Sequence, residues 1–570
     1  MRKINILIFV FCLLFSMVGC HDDLDVENKS GISSDAVFSD EGLVEAFLYT
    51  LYSYTGVDYM RGIGSIGSDG PSNRLYNNTF QMASITDEAR AKSGWVGANR
   101  NVAPGNISPT DNRGLEPNFW RNCYRGIREC STMIEGLKDS SLEESFVSQM
   151  SAEARWLRAM LYFELVRRYG GVPLITAPQG IDDDLLVSRN TADEVYDFIF
   201  SELEAAANDL PSVNDGASRD RANKEGAWAL NGRAMLYAER WAQSAMLSKR
   251  VIDAGMELSP DYNALFRSYG DDPEILFEVR VEVGTFAHGA DKWNWPLGYR
   301  SEAGGQTNPT QEFVDSYETT DGLPITDPLS IYDPNDPYAN RDPRFAASIG
   351  FHGNPFGLTP KTGIDRLDIE FIIGRDGLRN PNDGNDTQTG YYLKKFMDPS
   401  LGLDPDRGAS KTSFKHIRFG EVLLNYAEAK NEDSGPDQSV HDAINEIRSR
   451  PSVNMPDIPA GLDKDEMRER IRQERKIELA FETHRWYDLI RWRIAEDVLN
   501  GKQFHGMKIT RTTPVPDPYE AEYDPANLVY DPTFVVSTTV PQVFLPHFYL
   551  MPIPQSEIDK NINLRQNPGY

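Results

Sequence analysis

The sequence predicts a mainly α protein in which helical hairpins, stacked side by side as a scaffold, are interrupted by a loop-rich insertion that carries short strands. Three observations predict it. Apolar residues recur at i, i+3, i+4 and i+7 in several windows that gather into one early and one late block. Between the blocks, residues 271–415 are dense in Asp-Pro, Asn-Pro and Gly turn signals, with only short strand-like runs such as Ile275–Val283 and Ile369–Ile373. The 570 residues are 40% hydrophobic and 11% aromatic, enough to fill a large core and unlike a disordered chain. With 58 Lys+Arg against 86 Asp+Glu, a net charge of −28 excludes a basic nucleic-acid-binding surface as the reading.

At the N-terminus, Arg2 and Lys3 precede an apolar run from Ile6 to Phe15, and Ser16-Met17-Val18-Gly19-Cys20 closes the segment. This is the pattern of a secretory signal over residues 1–19. The run is too short to cross about 30 Å of hydrocarbon, and no later stretch approaches the length of a membrane span. The closing residues resemble a bacterial lipobox, which implies that Cys20 becomes the lipidated N-terminus; an ordinary cleaved signal is the alternative. Each buried acyl CH₂ contributes about 0.8 kcal/mol, so a multiply acylated Cys20 anchors the chain to a bilayer without spanning it. Residues 20–40 read as the tether and 41–570 as a single domain. Its helical scaffold lies mainly at 115–270 and 415–500, its loop-rich lobe mainly at 60–112 and 271–414, and a C-terminal segment at 501–570.

The helices follow in order. Phe119, Trp120, Tyr124, Ile127 and Ile134 predict a helix over 117–135. Ala152, Trp156, Ala159, Met160, Phe163 and Val166 stripe a second, which Gly170-Gly171-Val172-Pro173 ends, while Glu153, Arg158, Glu164, Arg167 and Arg168 occupy its other faces. Thr191 and Glu194 form a capping box for a third, which Pro211 follows. Further helices are predicted at about 222–242, 415–431, 438–449, 463–482 and 484–499. No strict repeat emerges, so a regular solenoid is not supported.

Cys123 and Cys130 fall within one predicted helix, where seven residues separate their Cα atoms by about 10 Å, beyond disulfide reach. Two buried thiols are expected, and no metal-ligand spacing is present. Hard oxygen ligands for a structural calcium abound at Asp333–Asp342 and Asn380–Asp386, although neither stretch matches an EF-hand loop and turn-forming Asx residues are the favoured alternative for both. No other cofactor is expected.

Several segments resemble the SusD/RagB family of Bacteroidetes outer-membrane nutrient-binding lipoproteins. They are Asn122–Ile127, Ala152–Ala159 running on to Tyr169–Leu174, Asn340–Phe345, Arg418–Ala429, Glu474–Glu482 with His484–Leu489, and the closing Tyr549–Pro554 and Asn567–Tyr570. The acidic His21–Asp25 also resembles the surface-export signal of such lipoproteins, with a plain acidic tether as the alternative. The resemblance implies tetratricopeptide-like hairpins with a ligand-binding lobe laid against them. It implies a glycan-binding protein, lipid-anchored in the outer membrane and facing outward. Such a protein passes oligosaccharide to a SusC-like TonB-dependent transporter without catalysis.

Arg155, Arg158, Arg475, Arg485, Glu421, Glu428 and Glu478 lie on strongly apolar helices and read as buried ion pairs of the scaffold rather than a cleft. Glycan recognition asks instead for flat aromatic faces with polar neighbours. Trp95, in a Gly-rich polar loop, and Trp293, Trp295 and Tyr299, in the insertion, are the candidate platforms, one of the two tryptophans 293 and 295 packing inward. Asn99, Asp69 and Arg74 are polar candidates. Trp120, Trp156, Trp228 and Trp486 sit on helical stripes and read as core. A surface glycoside hydrolase, which needs paired carboxylates, and a structural or adhesive subunit remain as alternatives. No familiar hydrolase motif is present to support the first.

Overall fold

Each predicted window of helical spacing yields a helix, and successive helices pack on one another. The computed structural model describes residues 34–54, 79–92, 102–110, 119–180, 182–216, 218–268, 270, 272–280, 291, 294–296, 304–356, 366–377, 387–398, 412–513, 524–536 and 541–570. The early block comprises α1 (Glu41–Tyr52), α2 (Phe119–Leu137), α3 (Glu144–Tyr169), α4 (Ala192–Asp209), α5 (Lys224–Tyr237) and α6 (Trp241–Asp253). The late block comprises α7 (Phe419–Ser434), α8 (Gln438–Arg448), α9 (Lys464–Glu478) and α10 (His484–Arg491). From α2 onward each helix of the early block packs on the next; α6 then packs on α7, which packs on α8 and α9. The two blocks are one stack, and the insertion leaves and re-enters it between α6 and α7. No helix of the described residues is long and apolar enough to cross a membrane.

The boundaries have local causes. The Thr191 box forms as expected, with Glu194 N–H donating to Thr191 Oγ1 at 3.2 Å and Thr191 N–H to Glu194 Oε2 at 2.7 Å. The helix expected over 222–242 is two helices, because Glu239 takes a left-handed φ of 56° and turns the chain between α5 and α6. Likewise Arg493, at φ 57°, ends α10 inside the expected 484–499 window. The expected strand at 369–373 is a turn with Ile372 at φ 71°. Residues at the start of the 415–431 window are a strand. Gly171 follows α3 with its Cα against a neighbouring chain: a Cβ there would lie 2.1 Å from the Asn190 carbonyl oxygen. Phe38, inside the expected tether, is already buried.

Four short antiparallel pairs serve the lobe. They join β1 (Ala89–Ala91) to β3 (Thr307–Pro309), β2 (Ile275–Val279) to β6 (Phe414–Arg418), β4 (Ile349–Gly350) to β5 (Tyr392–Leu393), and β7 (His505–Arg511) to β8 (Leu528–Val535). The hairpin β7–β8 lies in the C-terminal segment, for which no strand was expected. Scaffold and lobe have separate apolar cores. Trp120, Trp156 and Trp486 are buried in the scaffold core, with Trp228 packed partly buried against it. Cys123 and Cys130 are buried free thiols, and burial pushes Cys130 up to about 12.

The charged residues on the apolar helices are paired and, apart from Arg155, which is 35% exposed and meets Glu202 at 2.7 Å, they are buried or nearly so. Arg158 meets Glu202 at 3.0 Å, Arg233 meets Glu421 at 2.6 Å, and Arg491 meets Glu428 at 2.6 Å. Arg475 meets Asp488 at 3.2 Å. The largest network joins scaffold to lobe. Arg418, at the end of β6, bonds Glu274 at 2.7 Å, Glu478 at 2.8 Å and Glu482 at 2.7 Å. Arg450 reaches Glu274 at 2.6 Å and Glu478 at 2.9 Å, and Arg344 of the lobe reaches Glu474 at 2.5 Å and Glu478 at 3.0 Å. Gly420 is forced by this crowding, since a Cβ would meet the Arg418 guanidinium at 2.5 Å and Glu274 Oε1 at 2.9 Å.

Removing one side of a buried ion pair commonly costs about 3–5 kcal/mol. Glu478→Gln, which leaves Arg344, Arg418 and Arg450 short of a carboxylate, is expected to lower unfolding stability by about that amount in urea titrations. A pH series gives a second expectation. Burial would raise Glu164 and Glu428, but Arg167 with Arg168 and Arg491 respectively outweigh it and hold both near about 2 against an ordinary 4.5. Their folded-state values are depressed, so their contribution is present above pH 4.5 and is lost as pH falls toward 2. The urea midpoint should therefore drop across that window, and less so in Glu428→Gln.

Candidate functional site

The two loops nominated for ligand contact are rooted side by side. Strand β1, which leads into the early loop, pairs with β3 of the insertion in the register Ala89↔Pro309, Arg90↔Asn308, Ala91↔Thr307. Lys92 extends the pairing: its N–H donates to Gln306 O at 2.9 Å and its Nζ to Gly304 O at 2.8 Å. The chain toward Trp95 thus departs beside the chain that carries Trp295. Trp95, Asn99, Asp69, Arg74, Trp293 and Tyr299 themselves lie outside the described residues, as do Cys20 and Asn380–Asp386.

Trp295 packs inward. It is fully buried in the lobe core, with Nε1 donating to Asp291 Oδ1 at 2.9 Å and its backbone N–H to Asp291 O at 3.0 Å. A fully buried indole offers no face to a sugar, which corrects its nomination as a ligand platform. Its role is support: Asp291 Oδ1 also accepts from Asp398 N at 2.8 Å, and Asn294 Oδ1 accepts from Thr307 N at 3.2 Å.

Beneath β1 the root is tied to the scaffold by charge. Asp87 takes a two-toothed contact from Arg485 at 2.8 and 2.9 Å and lies 3.1 Å from Lys476 Nζ. Burial opposes ionisation of Asp87, but these two cations hold its carboxyl well below the usual range. Next to it, burial pushes Glu88 up to about 7 despite the Phe481 N–H that donates to it at 2.9 Å. Arg90 is buried, donating to Ser84 O at 3.0 Å and Gln542 Oε1 at 2.6 Å and lying 3.8 Å over the Phe504 ring. Of the residues read from the sequence as scaffold, Arg485 is therefore the joint between scaffold and site. The supporting residues Asp87, Arg90, Asp291 and Asn308 escaped the sequence reading, which offered only ordinary polar residues in loop segments there.

The segment Asp333–Asp342, weighed for calcium, is organised by its own turns. Asp333 Oδ1 accepts from Asn335 N at 2.8 Å, and Asp342 caps a short helix while pairing with Arg344 at 2.8 Å.

Comparison with known proteins places this architecture. The SusD family model matches residues 273–570, more than half of the chain, and a family described as starch-binding and associating with the outer membrane matches residues 24–236. The chain belongs to the SusD family. SusD-like protein P25 of Formosa agariphila is 26% identical over 520 residues, covering 88% of this chain and 92% of its own. A SusD-like protein from Bacteroides fragilis has a TM-score of 0.74 at 28% identity, covering 94% of this chain and 99% of that one. A SusD-like carbohydrate binding protein from the same species has a TM-score of 0.73 at 25% identity, covering 93% and 100%.

Truncating Trp295 opens a cavity in the lobe core and removes one of the bonds to Asp291 Oδ1. Trp295→Ala is expected to cost about 3–5 kcal/mol in chemical unfolding, while Trp295→Phe, which loses mainly the Nε1–H bond, costs less.

Proposed function

We propose that this chain is a cell-surface lipoprotein, anchored through Cys20, that binds an oligo- or polysaccharide and hands it to a SusC-like TonB-dependent outer-membrane transporter without acting on it chemically. The observation that carries the reading is the β1–β3 pair, which starts the Trp95 loop and the Trp293–Tyr299 segment from neighbouring points on a rigid base. Kinship with the Bacteroides fragilis carbohydrate binding protein supports the ligand class. In this reading Trp95, Trp293 and Tyr299 supply stacking faces. Asn99, Asp69 and Arg74 supply hydrogen bonds to hydroxyls, and Trp295 holds the platform from below.

Affinity electrophoresis and calorimetry against plant, host and microbial polysaccharides test it. Binding to one class is expected, at least about tenfold weaker in Trp95→Ala or Trp293→Ala, the loss typical of an aromatic anchor, with no new reducing ends after incubation. Absence of binding across the panel would remove the glycan reading, and new reducing ends would replace it with hydrolysis.

A further inference from the structure

Where the turn 366–377 packs on β7, the lobe buries three carboxylates, Asp368, Glu370 and Asp376, of which only two are held in close Arg ion pairs among the described residues. Glu370 is held by Arg511, whose Nε donates to Oε2 at 3.0 Å, and Asp376 Oδ2 accepts from Arg375 Nη2 at 2.8 Å. Asp368 lies between them, 4% exposed, with no Lys or Arg at ion-pair distance among the described residues. Among the described residues its Oδ2 has no hydrogen-bond partner and its Oδ1 receives a long 3.5 Å contact from Glu370 N, with the Arg375 backbone N–H also acting on the carboxylate. Arg366, half-buried on the same segment, acts on it only at longer range. A buried carboxylate in this state is costly unless it gains a partner.

Donor atoms suited to a cation gather around Asp368. His352, fully buried, faces Asp368 with Nδ1 3.8 Å from Oδ1, and ligand atoms of His352, Asp368 and Glu370 all lie within 4.8 Å of one another.

We propose that His352, Asp368 and Glu370 form a site for one first-row divalent transition-metal cation. One imidazole with two carboxylates suits zinc, manganese or cobalt better than calcium or magnesium, which prefer all-oxygen shells. Arg511 serves as the outer partner that orients Glu370, in the way hydrogen-bonded carboxylates commonly support metal sites. Bonds of about 2.0–2.2 Å draw the three side chains closer than they stand. The Ile369 N–H, which donates to His352 Nδ1 at 3.0 Å, competes with the metal for that lone pair. A bound ion cross-links the end of β4 to the turn and, through Arg511, to the β7–β8 hairpin.

Untagged full-length protein, stripped with chelator, is titrated with Zn²⁺, Mn²⁺, Co²⁺ and Ca²⁺ by calorimetry, alongside Asp368→Asn and His352→Gln. The expected result is one equivalent of Zn²⁺, a rise in thermal midpoint on binding, and affinity at least about tenfold weaker in each variant. Should the variants fail to fold, the visible d–d bands of Co²⁺ in the unmodified protein decide the question: saturation at one equivalent and displacement by Zn²⁺ support the site. No stoichiometric uptake of any transition ion overturns it. So does uptake that both variants leave unchanged, or calcium binding indifferent to His352→Gln.

Discussion

Glu478 is the carboxylate around which scaffold and lobe are assembled. Fully buried at the end of α9, it receives Arg418 from β6, Arg450 from the turn after α8 and Arg344 from the lobe. Burial would push its carboxyl up, but these three guanidinium groups outweigh it and hold the group ionised well below the usual range. No member of such a set can be moved alone, because each displaced charge leaves its partners unpaired in a dry interior. Apolar residues of equal volume would fill the space without dictating which segment lies where. The charges admit one arrangement, and Gly420 records how tightly it closes.

The site inherits its geometry from that joint. Lys395 continues the network into the lobe, its Nζ bonding Glu482 at 2.8 Å and Tyr262 Oη at 2.7 Å, so the segment after β5 is pinned to the turn after α9. From the same turn Phe481 packs on Phe313 with ring centres 5.2 Å apart and gives its N–H to Glu88 at 2.9 Å. Asp87 and Glu88 then position β1. The path from Arg418 to the root of the early loop therefore runs through contiguous buried contacts.

Much of this was legible in the sequence, and the remainder was hidden for identifiable reasons. Helices α2, α3, α4, α8 and α9 follow local apolar spacing and caps, which a linear reading detects. The break between α5 and α6 was not, because it depends on a left-handed glutamate in an otherwise helical pattern. Burial and pairing of Arg158, Glu421, Glu428, Arg475 and Glu478 followed from charges on apolar helices. Their partners did not, because Arg344, Glu202 and Arg233 lie far away in the chain. The inward packing of Trp295 could not be read from sequence, since it depends on the bonds its backbone and indole N–H groups make to Asp291. The group His352, Asp368 and Glu370 matches no ligand spacing and exists only because the turn 366–377 folds back beside β4.

The β1–β3 pair, three residues on each strand, is too short to hold together by its own hydrogen bonds. What keeps it is the polar residues buried around it: Arg90 on the C-terminal segment, Asp87 on Arg485, and Asn308. Asn308 gives its Nδ2 to Gly305 O at 2.9 Å and takes Gln388 N at 2.9 Å. These contacts form when the chain folds, so the roots of the two loops are ordered by the chain's own interactions. Loop tips standing on such roots can differ in sequence without disturbing the base.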